Sequence, residues 1–214
     1  MRLYLSSFRN GNKPEKLLEL LGDGRRTALI LNAMDFVSAE DRSADLGREI
    51  ERLKSIGLEP TEVDLRQYFD KPAGLKETLA GFDLIWVRGG NVFVLRRAFK
   101  QSGADKVIAE LLAKDAVVYG GYSAGVDILQ PHLHGIELVD PPDVVPDGYD
   151  KEIIWECLGI LPYCVAPHYR SPGHPETEDI EKTVAYYIEN HIRFIALHDG
   201  EAIVINGDSQ EVVG

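Results

Sequence analysis

The residues with the most chemical meaning lie in the stretch Val117-Val118-Tyr119-Gly120-Gly121-Tyr122-Ser123-Ala124-Gly125-Val126-Asp127. A β-branched apolar segment passes through small residues into a helix-like one, and a single serine stands at the turn. Gly121-Tyr122-Ser123-Ala124-Gly125 satisfies Gly-x-Ser-x-Gly in the strand-to-helix context that pattern requires. In such an elbow the serine occupies a strained backbone position, and its neighbours two residues away must be small so that strand and helix can approach. N–H groups at the helix start then face the point where an oxyanion would form. Ser123 is therefore a candidate nucleophile. The competing reading is a closely packed turn whose serine only caps a helix.

A second turn of the same kind follows Leu84-Ile85-Trp86-Val87. Arg88-Gly89-Gly90-Asn91 places two glycines where backbone N–H groups can point inward, and Asn91 is suited to cap the next helix. Phosphate binding uses the same device, but neither turn fits Gly-x-Gly-x-x-Gly or the phosphate loop ending in Gly-Lys-Ser/Thr. Of six histidines, His168 closes an apolar strand-like segment, Cys164-Val165-Ala166-Pro167, where a parallel sheet collects its active-site residues. It is the candidate base. His132 and His134 stand two apart, as metal ligands on one strand face would, without a third ligand of clear spacing. His174, His191 and His198 read as loop or surface residues. An acid to orient the imidazole is sought between serine and histidine, where Glu137 and Asp140 precede Asp143, Asp147 and Asp150 in one loop. The residues alone do not choose among them.

These groups need a scaffold, and the pattern supplies one. Strands are expected at residues 2–6, 27–32, 61–65, 84–87, 116–119 and 164–167. Helices are expected at 14–21, 39–56, 74–80, 92–100, 105–114 and 176–190. Two short strands at 195–198 and 202–205 meet at an Asp199-Gly200 turn. Alternation at this spacing implies right-handed crossovers and a doubly wound α/β fold with a mostly parallel sheet. With 214 residues and 44% hydrophobic content, residues 1–214 are read as one domain.

A formal net charge of −12, with basic residues scattered among acids, argues against nucleic acid and anionic membrane surfaces as partners. The two cysteines, Cys157 and Cys164, are too few for a disulfide framework. The apolar runs fall short of the roughly 18 residues of a membrane span, and the first residues do not read as a signal peptide. A cytoplasmic location is expected.

Taken together, Gly89-Gly90-Asn91, Gly121 to Gly125, Val139-Asp140-Pro141, Pro167-His168-Tyr169 and Gly173-His174-Pro175-Glu176-Thr177 have the order and spacing of the peptidase E family. The resemblance spans nearly the whole chain. It implies a serine exopeptidase, dipeptidase-like, on a class I glutamine amidotransferase-like fold, with Ser123 as nucleophile and His168 as base. Backbone N–H groups of Gly90 and Ala124 would form the oxyanion hole. Gly89, Asn91 and Arg170 would face the substrate, with Arg170 or Arg88 pairing an aspartate carboxylate. Glu137 lies nearest the place where the family keeps its acid and is favoured over Asp140. Glu178 stands where the family pattern carries a basic residue.

The expected substrate is a short peptide, no metal or organic cofactor is needed, and a homodimer stays open as an oligomeric state. A cyanophycinase-like hydrolase is the second enzymatic reading. A non-catalytic, ligand-binding member of the same superfamily, with Ser123 as a mere cap, is the third. An α/β-hydrolase shares the elbow, but the interval from Ser123 to His168 is too short for the strand–helix units that fold needs.

Overall fold

The apolar runs become the middle of a seven-stranded sheet in the computed structural model, which describes residues 1–71 and 73–214. The strands are β1 (Arg2–Ser6), β2 (Arg26–Ile30), β3 (Glu59–Glu62), β4 (Leu84–Val87), β5 (Val118–Tyr122), β8 (Ala202–Asn206) and β9 (Ser209–Val213), in the order β3-β2-β4-β5-β1-β8-β9. The first five are parallel, and β8 and β9 run antiparallel at the β1 edge. A separate parallel pair joins β6 (Cys164–Ala166) to β7 (Phe194–Ala196).

Alternate residues of each central strand feed opposite cores, because successive side chains point to opposite faces. Leu3, Leu5, Ile85 and Val87 join α3 (Leu75–Ala80), α4 (Val92–Ser102) and α5 (Ala104–Ala113) on one face. Tyr4, Leu84, Trp86 and Tyr122 join α1 (Pro14–Leu21) and α2 (Ala39–Ser55) on the other. Both faces are covered, as a doubly wound α/β fold requires. Helix starts follow the sequence: Ser38 accepts from the Asp41 N–H at 3.1 Å, and Asn91 from the Val94 N–H at 3.0 Å. Among the described residues no helix is long and apolar enough to cross a membrane.

Three expectations shift. The strand expected at 61–65 is β3, which ends at Glu62, since Asp64 accepts from the Arg66 N–H at 3.0 Å and turns the chain into a short 3₁₀ segment. The helix after the elbow, α6 (Ala124–Asp127), is a single turn. The two strands flanking Asp199-Gly200 do not form a hairpin: β7 pairs with β6, whereas β8 pairs with β1 and turns into β9. The segment containing Asp199 therefore crosses between sheets, and this crossing shapes the site.

Candidate active site

Three adjacent strands deliver the site at their carboxyl ends. β5 ends in Ser123, β4 ends in Arg88-Gly89-Gly90 beside it, and β1 ends in Ser7-Phe8-Arg9 on the other side. Ser123 has φ 51° and ψ −121°, a left-handed conformation that costs a non-glycine residue on the order of 1–3 kcal/mol. Packing enforces it. A Cβ on Gly125 would lie 2.1 Å from the Val87 carbonyl oxygen, so only glycine lets the turn close on β4. Gly89 is so near the elbow that its Cβ would fall 2.9 Å from that of Ser123, and Gly90, at φ 141°, would drive a Cβ to 2.6 Å from the Ala33 carbonyl oxygen. Among the described residues, no protein group engages the N–H of Gly90 or of Ala124. With α6 only one turn long, these individual N–H groups, rather than a helix macrodipole, are what an oxyanion would meet.

His168 follows β6 with φ 61° and is 2% exposed. Its Nδ1 lies 2.7 Å from Oδ1 of Asp199. The Ser7 hydroxyl locks the pair, accepting from the His168 N–H at 2.8 Å and donating to Asp199 Oδ1 at 2.9 Å. Burial alone would raise the Asp199 carboxyl, but its hydrogen bond and charge interaction with His168, together with the Ser7 hydroxyl, outweigh it and hold the carboxyl below its ordinary range. With Nδ1–H directed at the carboxylate, Nε2 keeps its lone pair. The imidazole stacks on His174, with centroids 3.7 Å apart and planes within 4°, and meets the edge of Phe8 at 5.7 Å. Burial, then the charge on His168, lowers the affinity of His174 for a proton.

Ser123 and His168 line one cavity of about 630 Å³, together with Gly90, Asn91, His174 and Glu176. That volume lies within the range of small-molecule sites, about 300–1,000 Å³. Among the described residues no direct hydrogen bond joins the serine hydroxyl to the imidazole; such contacts tighten when substrate is present. A hydroxyl, an imidazole, a carboxylate behind it and two unengaged N–H groups form a set able to attack a carbonyl and hold the resulting oxyanion. His168, His174 and Asp199 also bring three ligand atoms within 4.8 Å of one another. The parallel imidazole faces put their lone pairs in separate planes and Nδ1 is already engaged, so the geometry suits proton transfer better than metal ligation.

Several expected residues stand elsewhere. Glu137 accepts from the Gly135 N–H at 2.5 Å within a 3₁₀ turn and does not line the cavity. Asp140 does line it, but accepts from the Val92 N–H at 2.7 Å at the start of α4, across from His168. Neither is hydrogen-bonded to the imidazole; the carboxylate that meets it is that of Asp199. Arg170 is exposed and lies over the Tyr169 ring at 5.1 Å, outside the cavity, because left-handed residues at 168 and 170 turn the chain away. Glu178, in the first turn of α7 (Thr177–Glu189), also lies outside it. Asn91 is on the wall, yet its amide is used structurally, accepting from the Val94 N–H and donating to the Pro141 carbonyl at 3.0 Å. Gly89 is on the wall as expected. His132 and His134 sit beside Trp155, on which His134 stacks with centroids 4.7 Å apart, away from the cavity. The residues not anticipated are Asp199, His174 and the Ser7-Phe8-Arg9 turn. The one available signal was an acid directly after an apolar strand-like segment, the same signal that marks His168.

The model of peptidase family S51 matches residues 12–213. An uncharacterized peptidase of Listeria innocua is 30% identical over 156 residues, 73% of this chain and 70% of that one. Peptidase E of Salmonella arizonae is 26% identical over 196 residues, 90% of this chain and 78% of that one. A solved structure from Listeria monocytogenes EGD-e assigned to peptidase E superposes with a TM-score of 0.80 at 25% identity, covering 99% of this chain and 97% of that one. A peptidase from an acI-B1 actinobacterium shares the fold, with a TM-score of 0.73 at 16% identity over all of this chain and 87% of that one.

Proposed function

The chain belongs to peptidase family S51 and is a peptidase, and on that premise we propose that it is a serine exopeptidase that acts on short peptides from the N-terminal end and prefers N-terminal aspartate. The observation that carries the reading is the 2.7 Å contact between His168 Nδ1 and Asp199, on the wall of the cavity that Ser123 also lines.

Ser123 Oγ attacks the peptide carbonyl while His168 Nε2 takes its proton, and the N–H groups of Gly90 and Ala124 hold the oxyanion. Collapse of the tetrahedral species breaks the C–N bond as His168 returns the proton to the leaving amine. Water, deprotonated by the same imidazole, then cleaves the acyl ester and frees the serine. Asp199 stays ionised and stabilises the imidazolium.

A cavity of this volume accommodates a short peptide. Asp140 and Glu176 both line it, and Glu176 adds to burial in raising Asp140, so an α-ammonium between them would relieve that repulsion. On the acyl side, Arg88 is held by Asp45 at 3.1 Å and donates to the Gly89 carbonyl at 2.7 Å. Arg88 directly follows β4 at the oxyanion turn, and its buried Nε, which has no hydrogen-bond partner among the described residues, can donate to an aspartate side chain. Steady-state kinetics on Asp-Leu, Asn-Leu and Ala-Leu test this. A preference for Asp-Leu that disappears in Arg88→Gln is expected; equal or better cleavage of Ala-Leu by the unmodified protein would refute the aspartate preference.

A further inference from the structure

We propose that Arg9 is a specificity residue that binds the α-carboxylate of the leaving group, so that the enzyme selects dipeptides by their free C-terminus. This rests on the serine peptidase reading above and adds a subsite to it. Arg9 lines the same cavity as Ser123 and His168. Of the four arginines on that wall, Arg48 and Arg88 are paired with Asp45 and Arg52 with Glu49. Arg9 alone has no acidic partner among the described residues. Its guanidinium lies over the Phe8 ring, 4.6 Å from the centroid, and Phe8 packs edge-on against His168 at 5.7 Å and His174 at 5.1 Å. Arg9 is exposed at the rim, and its stacking on Phe8 places it beside the base. Its φ of 54° puts it in the left-handed region shared with Ser123 and His168. Strained residues of this kind persist where the surroundings demand them.

Strand order decides which end of a substrate Arg9 faces. β5 carries Ser123 and has β4 on one side and β1 on the other. The β4 turn supplies Gly90, so the oxyanion points that way. The β1 turn supplies Phe8 and Arg9 on the side of His168, the group that hands its proton to the departing amine. In a dipeptide that amine belongs to the C-terminal residue, and its carboxylate lies one carbon beyond. A planar guanidinium with an unclaimed fork suits a carboxylate bidentately.

The test is calorimetric binding of Asp-Leu and Ala-Leu isosteres, with the scissile amide reduced to a methyleneamine, each as free acid and as C-terminal amide. Both the unmodified protein and Arg9→Gln are titrated. The free acid should bind roughly ten- to a hundredfold more tightly than the amide to the unmodified protein. The two should bind equally to Arg9→Gln, and the aspartyl-over-alanyl ratio should not change. An acid-over-amide ratio that survives in Arg9→Gln overturns the proposal, as does loss of the aspartyl preference instead, which would move Arg9 to the acyl side. Failure of all four compounds to bind also overturns it. Acid-selective binding through Arg9 by a protein that hydrolyses no peptide would sink the peptidase mechanism and leave the subsite standing.

Discussion

Replacing Asp199 with asparagine removes one charge and little else, and its effect can be worked from the geometry. During attack the imidazolium faces a carboxylate whose Oδ1 is 2.7 Å from Nδ1. With charge centres about 4 Å apart and an effective dielectric of about 20, the attraction is about 4 kcal/mol. The Asp199 side chain is 25% exposed, which trims that figure. An asparagine also offers an N–H group as readily as an oxygen, so the imidazole can settle in the wrong tautomer with Nε2 protonated and unable to accept from Ser123. Together these effects approach the ~10⁴-fold loss of the Ser-His-Asp template, about 5.5 kcal/mol. Steady-state kcat for Asp199→Asn should fall by three to four orders of magnitude with KM little changed, and the circular dichroism spectrum should match the parent. Glu137→Gln, measured beside it, should keep near-normal turnover, since that carboxylate serves the Gly135 N–H. Near-normal kcat in Asp199→Asn, or collapse in Glu137→Gln, would refute the assignment of the acid.

The elbow and its surroundings give two further expectations. Gly125→Ala drives a Cβ to 2.1 Å from a strand carbonyl and should cost about 3 kcal/mol or more, or prevent folding; Gly47→Ala, in helix α2 with open space around it, should stabilise by about 0.5–1 kcal/mol. Thermal unfolding separates the two, and similar midpoints would refute the packing argument. Burial raises the Asp140 carboxyl to about 7 against the Val92 N–H, with Glu176 adding to the rise. The folded state then holds a proton that the unfolded chain releases between about pH 4 and 7, so stability falls as pH rises across that window, by at most about 4 kcal/mol. Asp140→Asn should flatten this slope in denaturant titrations from pH 4 to 8, and an unchanged slope would count against a perturbed carboxyl.

Local chemistry was legible in the sequence, and long-range geometry was not. Ser123, Gly89-Gly90 and His168 announce themselves because each follows an apolar strand; β4 and β5 bring the first two to one edge of the main sheet, whereas His168 follows β6 of the separate pair and is held there by Ser7 at the end of β1. The doubly wound α/β fold followed from the same alternation. Asp199 was hidden because Asp-Gly between two short strands reads as a hairpin turn, whereas here it bridges two sheets. That pairing depends on contacts distant in sequence, which periodicity does not carry. Arg170 misled for a local reason, since left-handed backbone at residues 168 and 170 reverses the direction that spacing from His168 suggests. His174 reaches the base through a compact turn in which the single Thr177 hydroxyl lies 2.8 Å from the His168 carbonyl and 2.9 Å from that of Ser171, and accepts from the Ser171 N–H at 3.1 Å.

An activated Ser123 hydroxyl is the claim on which the account depends, and labelling with a fluorophosphonate tests it directly. The probe transfers its phosphonyl group only to a nucleophile whose proton a neighbouring base can take. Intact-protein mass spectrometry should show a single adduct, peptide mapping should place it on Ser123, and dipeptide hydrolysis should fall in step with labelling; Ser123→Ala should neither label nor hydrolyse. Hydrolysis that persists in fully labelled protein or in Ser123→Ala, or an adduct on any other residue, would contradict the mechanism.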